Sequence, residues 1–577
     1  MSDLKYELID DTFTMPDGKV LHRIRLLKDI PAFELGNNNS DDWKPVVLHA
    51  GELGGWVESE DNLSQNGNCW VSSTSRVYGN AQVSDNAYIG AFSEVYGNAK
   101  VGGEAMVVSH SKVFDNATVH GVPHHRSEAY ISHSSIFENA SIADSPELID
   151  SKVYGSAIVY GSASLDNNVE VFGHASICDY AHLVGGGQYG SVDVLGNAKI
   201  FGNACLSDLV RVSDNACVYG HACIEGYAQV YGNAKVHNQV QVKHHAKVFG
   251  NAHLVNSCVI ENSAKVFDNA LVGENSTISG NSEIYGSAKV GGDSFVSGES
   301  IVCDNALVTG SAKLFDHAKV FGEAEVSENA QLSGYAVVKD KVCLFGNCSV
   351  KDNAQVKDSA LLFGYASLEG NSLLFGNAVV HDYAVLKDNV KVYENANVGG
   401  KVHLWNKSEV FGEARLEGNV SMYDSSKVCG HAYLLGQSLD NKSGVCLDGS
   451  SLVKDSAVIN GTEIFISDNC VVAGNAKIFD NVKLAHNVSV SDFVSLSGNL
   501  KSDKHVSLSG NVHLNGNVQI HDSVSISSQE SLDNYMKNSF FNLLDTTKGN
   551  VRSSDSVEID DSDVFFKHSV RHSHKGR

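Results

Sequence analysis

Two adjacent histidines, His124 and His125, followed by Arg126, stand in a segment that interrupts an otherwise regular pattern. Imidazole titrates near neutrality, so such a pair suits proton transfer at physiological pH. Against that stand the 25 His of the chain and the lack of an identifiable third residue that would orient either ring. Cys205 and Cys223 are 18 residues apart, a step that brings them together as stacked neighbours in the repeat described below. Stacking puts two thiols within reach of a disulfide or of half a metal site, although unpaired thiols are the simpler reading. Cys258, Cys348 and Cys470 fall at small apolar positions and act as filler. A third group is Tyr231, Phe249, Phe267 and Tyr285, spaced by 18, with Lys247 and Lys265 two positions before their rings. Rings beside cations form a grip for a partner protein or an acidic glycan. The structural alternative is stronger, because stacked aromatics stabilise adjacent strands and lysine stems cover them. No P-loop, HExxH, EF-hand, Rossmann or nucleophile-elbow pattern occurs.

The elements that position these residues follow from one rule. From Ala204 to Ala432 every sixth residue is Ala, Ser, Cys or Val, and two places later stands a large aliphatic residue, through 39 uninterrupted hexads. The same rule holds from Ser75 to Ala117, continues less regularly to Ala198, and resumes from Cys470 to Val524 with one polar exception at Ser502. Apolar residues two apart share one face of a strand, so each hexad is a short strand plus a turn. The turn half is Gly, Asp or Glu followed by Asn, as in Gly79-Asn80, Asp268-Asn269 and Gly376-Asn377; Gly and Asn tolerate the left-handed backbone that a sharp corner needs.

A chain that bends the same way every six residues must coil. The 18-residue ladder of rings sets three hexads per coil, and hence an all-β, single-chain parallel β-helix of triangular section. The corner through Ser207, Glu225 and Lys243 is polar, and that through Tyr219, His237 and Val255 is mixed. The ladder begins at Tyr78, Tyr96 and Phe114, takes a long step to Phe137, continues through Tyr154 and Phe172, and takes a second long step to Leu195. The excess residues predict loops near 121–128 and 185–191, with another near 436–444. On the order of 25 coils result. Residues 1–62 lack the hexads and are expected to form an N-terminal β cap containing a strand from His22 to Ile30; 63–527 form the helix; 528–577 hold a capping helix, with Leu532, Tyr535, Met536, Phe540 and Leu543 at helical spacing, and a disordered tail.

The 577 residues include 53 Gly and only 5 Pro, are 42% hydrophobic, and carry a net charge of −25. That composition excludes collagen and disordered classes. The acidic balance and the absence of Lys/Arg blocks argue against nucleic acid as a partner. No apolar run approaches the ~18 residues of a membrane span, the first residues lack the pattern of a secretory leader, and the 12 cysteines are scattered singly; a reducing, cytoplasmic setting is the expectation.

The small-x-aliphatic hexad resembles the signature of left-handed parallel β-helices, the fold of the hexapeptide acyltransferases; left-handedness is what the resemblance implies. The segment Gly51-Glu52-Leu53-Gly54-Gly55-Trp56-Val57-Glu58-Ser59-Glu60-Asp61-Asn62-Leu63-Ser64, with Asn68-Cys69-Trp70-Val71 and the Val-Tyr-Gly-Asn-Ala runs, is similar to the N-terminal part of YdcK-type proteins, which are assigned as acetyltransferases. The resemblance implies a homotrimer with acetyl-CoA or another acyl-CoA in the groove between subunits. His124 or His125 would then be the base that deprotonates an acceptor hydroxyl or amine. The reading favoured by the residues themselves is an elongated structural or protein-binding element, since the long uninterrupted run of hexads leaves no loop from which to build a pocket.

Overall fold

The computed structural model describes residues 4–34, 45–122, 129–437, 444–502, 505–520 and 523–535. It is an all-β parallel solenoid of about 25 coils with about 18 residues each, in two compact units, Met1–Ser297 and Gly298–Arg577. Every coil contributes one short strand to each of three faces. In the first unit, Arg76–Val77, Gln82–Val83 and Tyr88–Ile89 open faces one, two and three, and each pairs in parallel with the strand one coil later. The second unit repeats the arrangement, as in Lys391–Val392, Asn397–Val398 and His403–Leu404.

Side-chain alternation explains why these residues coil. Ala216 and Val218, Ala222 and Ile224, and Ala228 and Val230 all point inward with no exposed surface, while Cys217, Cys223 and Gln229 between them face out. Backbone bonds cross from coil to coil at faces and corners alike: the amides of Phe249 and Asn251 donate to the carbonyls of Val266 and Asp268 at 3.0 and 2.6 Å.

At the corners the structure corrects the sequence reading. In the pairs Gly79-Asn80 and Asp268-Asn269 the left-handed residue is the first, with φ of 71° at Gly79 and 56° at Asp268, and not the Asn; at other corners Asn itself takes the position, as at Asn256, Asn262 and Asn406. A Cβ at Gly232 would sit 2.9 Å from the backbone of Gly250, which explains glycine there. Where Asp takes the position it offsets the backbone strain with a bond: Asp85 and Asp214 accept the amides of Gly103 and Gly232 one coil on, both at 2.9 Å. The freed Asn builds a second ladder. Each side-chain amide from Asn197 through Asn215, Asn233 and Asn251 donates to the next, ending at Asn269, at 2.9 to 3.0 Å.

Strand pairing continues across the two long ladder steps. Val113 pairs with Ile136 and Val171 with Val194, so the coils stay in register across the excess residues. The second excess forms a short 3-10 turn at Gly187–Tyr189. Most of the first and third segments, 123–128 and 438–443, lies outside the described residues.

The N-terminal region is an antiparallel meander. Tyr6–Thr14 pairs with Val20–Leu26, which pairs with Leu53–Val57; Trp56 and Val57 then run parallel to Arg76 and Val77. The single strand expected from His22 to Ile30 is two strands, Val20–Leu26 and Ile30–Glu34. A bend at residues 27–29 separates them, held by the Leu27 amide on the Lys5 carbonyl and the Ala50 amide on Asp29. The second piece is thereby turned toward Pro45–Leu48. Buried Asn62 joins this region to the coils, its side chain donating to the carbonyls of Gly79 and Ala81 at 2.9 Å. At the other end, 529–535 is helical with Leu532 buried; Met536, Phe540 and Leu543 lie outside the described residues.

Ser502, the polar exception, stands at the large inward position between Leu484 and Ile520, and its buried hydroxyl has no hydrogen-bond partner. Ser502→Val is expected to stabilise the C-terminal coils by about 1 kcal/mol, because it fills an apolar site and removes an unmet polar group; an unchanged or lower unfolding midpoint in urea would contradict this. A second expectation concerns acid. The Gly103 amide and the Ser84 hydroxyl hold the Asp85 carboxyl below its ordinary value. A carboxyl lowered by folding stabilises above its unfolded pKa of ~4 and loses that contribution as pH falls through the folded value. Amide exchange at Gly103 should therefore accelerate below pH ~4 relative to an Asp85→Asn variant, in which no carboxylate titrates.

Candidate functional surfaces

The edge after face one carries the ring ladder. Tyr231, Phe249, Phe267 and Tyr285 stack with centroids 4.8 to 4.9 Å apart and planes within 11°. Tyr78 through Phe172 form the same stack nearer the N-terminus, and Phe375, Tyr393 and Phe411 form it in the second unit. The rings are half-buried, and burial raises the phenols of Tyr231 and Tyr393 above the ordinary value. At its start the ladder is covered: Lys19 lies over Tyr78, and Phe13 lies against the Arg76 guanidinium.

In the outward row of face one, acids stand beside several of the lysines and arginines, although Lys319 lies between Ile301 and Val337. Glu94 sits between Arg76 and Lys112, at 3.2 and 4.0 Å, and Glu170 holds Lys152 at 2.7 Å. Lys247 and Lys265 are register partners, and Lys265 turns away to Glu283 at 2.8 Å. In the second unit Glu409 bridges Lys391 at 3.6 Å and Lys427 at 3.0 Å. Stepping by one coil through all outward residues, acids included, would have found these ion pairs in the sequence.

The edge read as mixed holds its own short stacks, Phe201, Tyr219 and His237 in the first unit and Phe345, Phe363 and His381 in the second. His237 meets His253 Nε2 to Nε2 at 2.8 Å, and burial and the neighbouring His237 push the His253 ring down.

His124 and His125, with Arg126, lie outside the described residues. Of the described histidines nearby, His110 and His133 have ring centres 6.2 Å apart, and His110 stacks on Phe92. Cys205 and Cys223 are register partners on face three, as their spacing required. Sequence reasoning did not anticipate Lys5, wholly buried beneath the meander, with its Nζ 2.9 Å from the Cys69 carbonyl and 3.0 Å from its Sγ. Burial lowers the Lys5 ammonium and raises the Cys69 thiol. Nothing in local spacing signals this pair, which is 64 residues apart in the chain.

Among the described residues no cluster of three or more His, Cys, Asp or Glu side chains is placed to hold a metal ion, and no helix is long and apolar enough to cross a membrane. The class defined by fold and surface is a parallel β-solenoid whose outward rows are paired along the coil axis. Compared with known proteins, the chain matches no family model and no curated protein.

The charge alternation has a direct consequence. Glu409→Lys would align three ammonium groups at strand spacing, and the loss expected is about 1 to 2 kcal/mol at low salt. Screening should restore most of it near 1 M salt. A variant as stable as the parent at low ionic strength would show that the row carries no interaction energy.

Proposed function

We propose that this chain is a structural or protein-binding β-solenoid of the cytoplasm, without clear catalytic machinery for acyl transfer. The observation that carries the reading is that the outward rows meet their own needs from coil to coil: rings lie on rings, Asn side chains bond in series, and Lys alternates with Glu. A surface so arranged stiffens the stack and presents a regular relief to a partner. None of the twelve cysteines forms a disulfide, which fits a reducing compartment.

Phe267→Ala tests the reading. If the ladder is structural, removing one half-buried ring between Phe249 and Tyr285 lowers stability by roughly 1 to 3 kcal/mol and speeds exchange of the Phe249 and Phe267 amides, with distant coils unaffected. Unchanged stability and exchange would mean that the rings project freely, and the face would then be an adhesive one. Acyl transfer from acetyl-CoA that disappears in a His124→Ala, His125→Ala double variant, with the melting temperature retained, would replace this reading with an enzymatic one.

A further inference from the structure

On face three the outward row of successive coils reads Ser164, His182, Cys205, Cys223 and Gln241, each the register partner of the next. Most outward rows repeat structural residues, but this one lines up an imidazole and two thiols, and the Asp166 carboxylate reaches its imidazole from two positions after Ser164. Asp166 Oδ2 accepts the Ser164 hydroxyl at 2.9 Å and lies 3.6 Å from His182 Nε2. Its other oxygen, Oδ1, is buried without a hydrogen-bond partner, so the carboxylate has acceptor capacity to spare at the end of the row. His182 is half-exposed, and both thiols are half-buried and unpaired.

Adjacent parallel strands place register partners ~4.8 Å apart at Cα, inside the 4.4 to 6.8 Å window in which a disulfide closes without backbone movement. We propose that Cys205 and Cys223 are a redox-active dithiol in which a hydroperoxide oxidises Cys205 and Cys223 resolves it to a disulfide, with His182 and Asp166 positioning the attacking sulfur. The Cys205 thiolate attacks one peroxide oxygen; the S–O bond forms, the O–O bond breaks, and the leaving hydroxide is protonated to water. Cys223 then gives up its proton and attacks the Cys205 sulfur, forming S–S and expelling the sulfenic oxygen as a second water. Two thiols and hydrogen peroxide thus become one disulfide and two waters, and a small-molecule thiol reverses the step by exchange.

The surroundings assign the two roles. Hydrogen bonding from Cys223, then from His182, brings the Cys205 thiol down to about 6, whereas the proton shared with Cys205 is retained by Cys223, which is raised. Glu225 opposes ionisation of both sulfurs and is itself held by Lys243 at 3.0 Å. The nucleophile is therefore the sulfur nearer the imidazole, and its neighbour is poised to resolve it. Cys217, outward and half-buried on face two, donates to the Asn215 carbonyl at 3.7 Å and provides an internal reference.

The experiment uses the full chain, reduced and freed of reductant. Iodoacetamide labelling read peptide by peptide should modify Cys205 roughly tenfold faster than Cys217 at pH 6.5, with a rate that levels off above neutrality. One equivalent of hydrogen peroxide should yield a 205–223 disulfide peptide, and Cys223→Ser should instead leave a dimedone-reactive sulfenic acid at Cys205. His182→Gln should move the labelling midpoint upward while leaving Cys217 unchanged. Cys205 labelling with the pH profile of Cys217, or peroxide leaving both thiols free in the unmutated chain, would overturn the proposal, and neither readout depends on a variant folding.

Discussion

In a parallel coil of constant length each side chain lies over the residue one coil away, at the spacing of neighbouring strands. The backbone bonds that hold this register, such as Phe267 amide to Ile284 carbonyl, therefore impose a second constraint: each outward residue must tolerate its neighbour above and below. Inward, the constraint is easily met by Ala over Ala and Val over Val. Outward, the chain meets it in four ways: face-to-face rings, serial Asn amides, alternating Lys and Glu, and carboxylates that accept the next coil's amide. Because each interaction joins only adjacent coils, stability is distributed along the stack and a defect is felt locally.

The part of this design carried by periodicity was legible in the sequence. Inward faces, three strands per coil, the ring ladder and the long steps at Phe137 and Leu195 all follow from counting residues, since burial leaves each position only one chemical class. The corners were legible only in part. Asn takes positive φ at some corners, such as Asn256 and Asn406, but in the serial Asn ladder a donor and an acceptor one coil away reward it for staying outside that region, and an Asp before it takes the strained position because its carboxylate finds an amide. Such preferences depend on the residue 18 positions away and escape a reading of local propensity.

The charged row shows the same limit. Seen alone, Arg76, Lys112, Lys391 and Lys427 suggest a basic stripe; with Glu94 and Glu409 in their register positions they form a chain of ion pairs. Lys5 was beyond reach altogether, because the meander that buries it against Cys69 has no repeat to count. The candidate base pair at His124 and His125 belongs to a segment released from the repeat, where periodicity offers no placement.

A surface whose rows are self-satisfied also gives a criterion for where chemistry resides. A residue that stacks on its like needs no other explanation, so function is sought where a row changes character over consecutive coils. The run from Ser164 through His182 to Cys205 and Cys223 does this within four coils, with the Asp166 carboxylate against the imidazole, beside the interruption at Gly187–Tyr189. Identical thiols stacked at strand spacing would serve packing equally well if both stayed neutral. A neighbouring imidazole and a carboxylate with an unused acceptor make the two sulfurs inequivalent, and inequivalence is what a dithiol requires if one sulfur is to attack and the other to resolve. Rigid coils then act as the positioning device, because register alone holds the two sulfurs together and no hinge or pocket is needed.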